Sequence, residues 1–378
     1  MSAATLVFCV SLAVIAYVYI GYPVLAWLLA RLFGREPSQR DITPSVSLLL
    51  PAYNEEAYIE EKLRNCLALD YPSDRLEIVV ASDGSTDRTN AIVQRFASRG
   101  VKLLAMEHLG KSAMLSRAVP LLRGEVVAFS DISSQLAPDA LRKTVRNFSD
   151  PSVGCVSGAY YLKGGADLRA HGEGAYWKYE AFLKRQESRL HSILGAHGPF
   201  YAIRRSLFTP LREREINDDY LIPMRVIAQG YRAVYEPDVI AWEPELVSVE
   251  GEFARRLRIA AGNCQQMIEL RHVLTPRYGW VAFAFFSHKV LRTAAPMFLI
   301  SLLAASVWLP GPWNILLLGL QAAFYASAFA GYLCQRQGRS VRWLSAPFYF
   351  CLGNLAMLAG LVKYSTNPKG LVWERARP

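Results

Sequence analysis

Between residues 3 and 30 the sequence contains no charged side chain. The run is longer than the apolar core of a cleaved leader and no basic stretch precedes it. As a helix it crosses about 30 Å of hydrocarbon, so a retained membrane helix is expected over residues 1–33. Close cysteine pairs are also missing. Cys9, Cys66, Cys155, Cys264, Cys334 and Cys351 are scattered, as are the six histidines, which argues against a structural zinc or dithiol centre and fits a reduced, cytosolic compartment. Although the net charge is +10, no basic block is interleaved with aromatics, so a nucleic-acid partner is not expected. There is no internal repeat and no low-complexity segment.

Apolar side chains make up 52% of the chain and are concentrated in segments. Beyond the first run, residues 294–309, 313–334 and 344–362 repeat the membrane signal, giving about three further spans over residues 293–364. Residues 279–292 mix apolar positions with His288, Lys289 and Arg292 and read as an interfacial helix; residues 365–378 form a basic tail. Arg31, Arg35 and Arg40 follow the first span, and Arg336, Arg339 and Arg342 separate two later ones, so both stretches are expected to face the cytoplasm. Three spans after a cytoplasmic domain put the C-terminus outside. Lys363, Lys369, Arg375 and Arg377 favour the inside, a conflict removed if one span is re-entrant or interfacial.

Residues 45–265 behave differently. Short β-branched runs at 46–50, 76–81, 101–106 and 125–129 alternate with stretches of helical spacing at 55–69, 86–98 and 112–122. Such alternation predicts an α/β fold with a mainly parallel, Rossmann-like sheet covered on both faces. Ligands of such sheets sit beyond the carboxyl ends of the strands, where Tyr53, Asn54, Glu55, Asp83 and Asp131 fall. Gly110-Lys111-Ser112 is not the end of a P-loop, because residue 105 is alanine where the motif requires glycine. Asp83, Asp131 and the Asp218-Asp219 pair suit a reaction in which carboxylates hold a hard divalent cation and one accepts a proton. Each by itself is equally what a helix cap or turn would use.

Five motifs in one order go further. Pro51-Ala52-Tyr53-Asn54-Glu55, Ser82-Asp83-Gly84-Ser85-Thr86-Asp87, Gly110-Lys111-Ser112-Ala113, Phe129-Ser130-Asp131-Ile132-Ser133 and Asn217-Asp218-Asp219, the last followed by Tyr220-Leu221-Ile222-Pro223-Met224-Arg225 and Gly230-Tyr231-Arg232, are similar to the family-2 glycosyltransferases. That family includes cellulose, hyaluronan and poly-N-acetylglucosamine synthases. The resemblance implies an A-type glycosyltransferase domain, a hexosyltransferase activity, and a nucleotide-diphosphate sugar donor with UDP as the expected carrier. It places Pro51, Tyr53, Glu55, Asp83, Lys111, Asp131 and Arg258 at the donor, Asp131 and Ser133 at Mg²⁺ or Mn²⁺, and Asp219 with Asp218 at the catalytic position. His197, Gly198 and Phe200 fall on the acceptor side. Tyr176, Trp177 and Tyr179 stand at helical spacing and are expected to pack.

Two motifs depart from the pattern. The metal element is reduced to Asp131-Ile132-Ser133, a hydroxyl replacing one carboxylate, and the family's QxxRW segment is Arg255-Arg256-Leu257-Arg258-Ile259, which puts processive polymer synthesis in doubt. The expected whole is an inverting transferase in a bacterial inner membrane, its catalytic domain cytoplasmic. It would act on a growing glycan or lipid-linked acceptor at the bilayer, with accessory membrane subunits as further partners. The altered motifs also suit an inactive homologue serving as a membrane scaffold or glycan-binding subunit. A transporter is disfavoured, because the spans after residue 293 carry almost no ionisable groups.

Overall fold

A computed structural model describes residues 2–163, 170–213, 215–244, 249–337, 339 and 341–366, with the side chains of 162–163, 170–177, 244 and 249 excluded. Most of the basic tail, with Lys369, Arg375 and Arg377, lies outside the described residues, as do the side chains of Tyr176 and Trp177. The chain divides into two compact units, one of Phe33–Lys163 with Lys184–Glu245 and the other of Met1–Leu32, Gly164–Leu183 and Leu246–Pro378.

The first of these is built on eight strands: β1 (Val46–Ala52), β2 (Leu76–Asp83), β3 (Val101–Met106), β4 (Val126–Phe129), β5 (Gln135–Leu136), β6 (Val153–Lys163), β7 (Tyr201–Arg204) and β8 (Arg232–Pro244). They form one sheet in the order β3-β2-β1-β4-β7-β6-β8-β5, in which β7 and β5 run against the other six. Leu48 and Leu50 of β1 pack with Ile78 and Val80 of β2 and with Leu63, Cys66, Ile92 and Val93 of the covering helices. Their neighbours Leu49 and Val79 are equally buried, so the central strands are enclosed on both faces, which is why they read as unbroken apolar runs. The antiparallel β7 was not legible beforehand, since a four-residue strand inserted between two parallel neighbours leaves no periodic trace.

The polar stretch after the first apolar run is fastened to this unit. Gln39 Nε2 donates to Asn147 Oδ1 (2.8 Å) and Glu236 Oε2 (2.7 Å), and Arg146 pairs with the same glutamate at 3.0 Å. Arg232 donates to the carbonyls of Ser188 (2.9 Å), His191 (2.9 Å) and Arg35 (3.0 Å), so the arginine of the Gly230-Tyr231-Arg232 motif ties three backbone segments together.

The second unit contains four helices long and apolar enough to cross a membrane: Ala3–Phe33, Trp280–Val307, Trp313–Arg336 and Arg342–Thr366. Residues 279–292 are not a separate element. The helical path from Trp280 continues through a π-helical turn at Phe285–Val290 into Leu291–Val307. Two of the groups that set this segment apart meet one carboxylate: Arg292 Nη1 lies 2.5 Å from Glu180 Oε1, and His288 Nε2 lies 3.7 Å from Glu180 Oε2. Tyr179 packs beneath the Arg292 guanidinium, 5.6 Å from ring centre to Cζ.

The helix Val249–Glu269, which carries Arg258, groups with these helices and not with the eight-stranded unit. Small residues bring this helix against Arg342–Thr366, where a Cβ on Gly360 would lie 2.6 Å from that of Ala260. Arg255 and Arg256 both pair with Glu252.

Candidate active site

The site grows from the carboxyl ends of β1, β2 and β4, the turn before β7, and the first turn of helix Asp218–Ala228. After β1, Asn54 takes a left-handed conformation (φ 52°) and its Oδ1 accepts from Thr86 N at 2.8 Å, joining the Tyr53-Asn54-Glu55 turn to the one after β2. Glu55 is buried, and its backbone N–H donates to Thr89 Oγ1 at 2.7 Å. The Tyr53 ring stacks on His108, centroids 4.5 Å apart.

Asp83 ends β2 with its carboxylate 2% exposed. Oδ1 accepts from Leu109 N (2.7 Å), and Oδ2 accepts from Gly110 N (3.0 Å) and faces His108 Nδ1 at 3.0 Å. Through these bonds the Asp83 carboxylate shapes the loop that leads to Lys111.

Lys111, first residue of helix Lys111–Ala118, places Nζ 3.2 Å from Asp131 Oδ1 and 3.0 Å from Asp218 Oδ1. Burial by itself disfavours the ammonium, but attraction from Asp131, Asp218 and Asp219 outweighs it and holds Lys111 above its ordinary range. Asp131, Asp218 and Asp219, separated by up to 88 positions in the chain, thus converge on one lysine. Among them Asp219 titrates unusually. Burial and repulsion from Asp218 push it up to about 6, with Lys111 opposing, Asp131 adding repulsion and Lys184 also opposing. Tyr201 of β7 supports Asp218, its hydroxyl 3.4 Å from Oδ2.

Gly198 keeps the centre open. A Cβ there would lie 3.1 Å from Asp219 Oδ2 and 3.4 Å from Asp131 Oδ2, so both carboxylates border the volume that the missing side chain leaves. The turn before it fits only glycine at position 195, where φ is +85° and a Cβ would run into the Tyr220 ring. A proline within the facing helix docks this turn. Pro223 has no N–H for the carbonyl of Asp219, four residues back, and a proline there ordinarily costs about 3 kcal/mol. Here Ala196 N donates to that carbonyl at 2.7 Å, so the lost helical bond becomes the link between turn and helix.

The other acceptor-side positions lie deeper. Phe200 is 1% exposed and part of the main core. His197 is buried, its Nδ1 3.0 Å from the Gly158 carbonyl and its N–H donating to Ser157 Oγ at 2.9 Å. Pro51 lies within β1 at its carboxyl end. Arg258 belongs to the other unit.

Three participants were invisible in the sequence. Ser133 Oγ lies 3.4 Å from Glu243 Oε1 of β8, bringing a carboxylate beside the position where the metal motif lost one. Lys62 and Lys184 are buried beneath the site, although lysines on amphipathic helices ordinarily read as solvated. Arg225, whose place in the last motif suggested function, instead braces the loop before Asn217 through Glu215 Oε1 (2.6 Å) and the Pro210 carbonyl (2.7 Å).

Among the described residues no group of three or more His, Cys, Asp or Glu side chains suits a metal. The oxygens of Asp131, Ser133 and Glu243 are hard donors, and the Asp131 side chain is 34% exposed. They fit a divalent cation that a substrate diphosphate and water would further coordinate, rather than a closed protein cage.

A sheet of this topology, with acidic turns at its strand ends gathered around one lysine, defines an A-type sugar-transferase domain. Residues 47–211 match the model of glycosyl transferase family 2. The probable glycosyltransferase YdaM of Bacillus subtilis is 28% identical over 243 residues, covering 58% of this chain and 55% of the relative. A beta-monoglucosyldiacylglycerol synthase of Nostoc sp. is 27% identical over 359 residues, covering 87% of this chain and 75% of the relative. Among solved structures, the mannosyltransferase PcManGT from Pyrobaculum calidifontis, in complex with GDP-Man and Mn²⁺, is 25% identical. It superposes with a TM-score of 0.73 over 96% of this chain and 100% of its own.

Proposed function

We propose that the protein is an inverting, membrane-bound glycosyltransferase that moves a sugar from a nucleotide diphosphate to a hydroxyl of a growing glycan or lipid-linked acceptor, with Asp219 as the base. The observation that carries this reading is the pair of carboxylate oxygens, Asp219 Oδ2 and Asp131 Oδ2, bordering the volume beside Gly198. The acceptor oxygen attacks the anomeric carbon while the bond from that carbon to the diphosphate oxygen breaks. The electron pair leaves with the nucleotide diphosphate, and the acceptor proton passes to Asp219. Inversion follows from a single displacement and gives a β-linkage from an α-linked donor.

Lys111 is assigned to the diphosphate, where fixed positive charge stabilises the departing group; for Arg258 the same assignment rests on the family resemblance alone. Tyr53 and the backbone around Pro51 and Glu55 are assigned to the nucleoside. Asp131 and Ser133, with Glu243 beside them, would hold Mg²⁺ or Mn²⁺, which when bound neutralises charge developing on the diphosphate. The Mn²⁺ and GDP-Man of the mannosyltransferase complex support both cation and donor class. The name of the Nostoc relative and the four apolar helices support a lipid acceptor met at the membrane surface. Arg31, Arg35 and Arg40 after the first helix support a cytoplasmic catalytic unit at a bacterial inner membrane.

The test incubates membranes holding the full chain with radiolabelled UDP-glucose, UDP-N-acetylglucosamine and GDP-mannose, with and without Mg²⁺ or Mn²⁺, and extracts lipid and polymer products. Transfer by the wild type and its loss in Asp219→Asn are expected. Undiminished transfer by the variant would remove Asp219 from the base position.

A further inference from the structure

The two buried lysines that the proposed mechanism leaves unused hold opposite ends of the same turn. Residues 195–199 carry Gly198, the opening between Asp131 and Asp219, and lead into β7. At one end Lys184, 6% exposed, donates from Nζ to the Gly195 carbonyl at 2.5 Å. At the other end the Pro199 carbonyl accepts from Ser130 Oγ (2.8 Å) and Ser134 Oγ (3.0 Å). Lys62, which is fully buried, holds both serines from beneath, with Nζ 2.7 Å from Ser130 Oγ, 3.2 Å from Ser134 Oγ and 2.8 Å from the Ser134 carbonyl. Ser130 and Ser134 flank Asp131, and the Asp131 carbonyl, 2.8 Å from Ser134 Oγ, is the alternative acceptor for that hydroxyl's single proton. Between the pinned ends, Ala196 N is fastened to the carbonyl of Asp219.

We infer that Lys62 and Lys184 are positioning residues that together fix the 195–199 turn and so set the gap between the donor-side carboxylate Asp131 and the base Asp219. Neither lysine touches the reacting atoms in this account, which rests on the reading of Asp219 as the base.

The physical grounds are cost and direction. A buried ammonium is expensive, and an apolar side chain of similar length would fill either place without that cost. Retaining an ammonium makes sense where it binds oxygens that must not move and where neighbouring carboxylates supply a compensating field. Lys62 has three such oxygens within 3.2 Å; burial pulls it below the ordinary lysine range, with Cys66, Asp131 and Glu243 opposing, so these oxygens carry the case for its place. Lys184 lies where it acts on Asp219 in the same sense as Lys111. A chain with three carboxylates around Lys111 gains two further cations without placing either in the open volume.

Because both lysines act through one turn, their effects should not multiply. Misplacing reacting groups by about 1 Å costs on the order of 10²-fold in rate, so Lys62→Met and Lys184→Met should each lower turnover about 30- to 100-fold. The double variant should fall no more than about threefold below the slower single one, since losing either pin already frees the turn. Lys184→Arg, which still reaches a carbonyl, should recover most of the rate. Donor KM should stay within about threefold in Lys184→Met and rise in Lys62→Met, because only Lys62 also holds the turn bearing Asp131.

The measurement uses the full chain in nanodiscs, below the unfolding midpoint of every variant, with whichever of UDP-glucose, UDP-N-acetylglucosamine or GDP-mannose the wild type consumes. If Lys62→Met does not fold, Lys62→Gln replaces it. Rate losses that multiply in the double variant would overturn the shared turn, as would single variants within about threefold of wild type. Asp219→Asn, run alongside, separates the two failures. If it is inactive while the lysine variants are normal, only this inference falls; if it is fully active, the assignment of the base falls first.

Discussion

Each unit buries a carboxylate beside cations, with opposite results. Asp219 shares its surroundings with Asp218 and Asp131, and burial and repulsion carry it up to about 6 despite Lys111 and Lys184. Glu180, in the unit of apolar helices, is equally subject to burial. Arg292 and His288 reverse that effect and hold it well below the usual carboxylate range. An excess of negative groups leaves a carboxylate poised to take a proton, whereas an excess of positive groups closes it into a structural pair. The comparison separates chemistry from architecture among groups that burial alone does not distinguish.

The contrast is broken most severely at Asp219. Asp219→Asn should lower transfer by about 10³-fold, within the range for loss of a general base, as read by product formation from labelled donor. Next comes Lys111→Met, expected to cost about 10²-fold through lost stabilisation of the leaving group. It should also move the acidic limb of the rate profile to higher pH, because Lys111 favours the ionised form of Asp219. The wild-type profile sharpens the point. A base at Asp219, as proposed, works as a carboxylate, so the rate should rise with pH through about 6 and then level. At pH 5 roughly a tenth of the plateau should remain, as for one ionisation required for activity.

Glu180→Gln should have the smallest effect on rate, within about threefold, and should leave the acidic limb where it was. Its effect should instead appear in stability. Removing one partner of a buried ion pair strands the other, at a cost of about 3–5 kcal/mol, which thermal unfolding of the full chain in detergent would detect. A shifted pH profile in this variant would undo the division between the two units.

Much of this molecule was readable in one dimension. Enclosed parallel strands and membrane-compatible helices both need long apolar runs, so the sheet and the four apolar helices followed from local pattern, while the order Asp83, Asp131, Asp219 came from the family resemblance. Local pattern failed where a residue's role depends on what comes to meet it from far away in the chain. Asp83 and Arg225 occupy motif positions yet brace loops, Phe200 belongs to the core, and Glu243 reaches Ser133 from a strand more than a hundred residues later. Lys62 and Lys184 carried no signal, because an amphipathic helix permits lysine almost anywhere and only packing reveals which ones are enclosed. By itself the sequence determined which segments become strands, spans and acidic turns, since these depend on spacing and hydrophobicity over a few residues. Only tertiary structure decided which carboxylate is poised and which is closed, because that depends on the sign and distance of charges contributed by separate segments and on the water excluded around them.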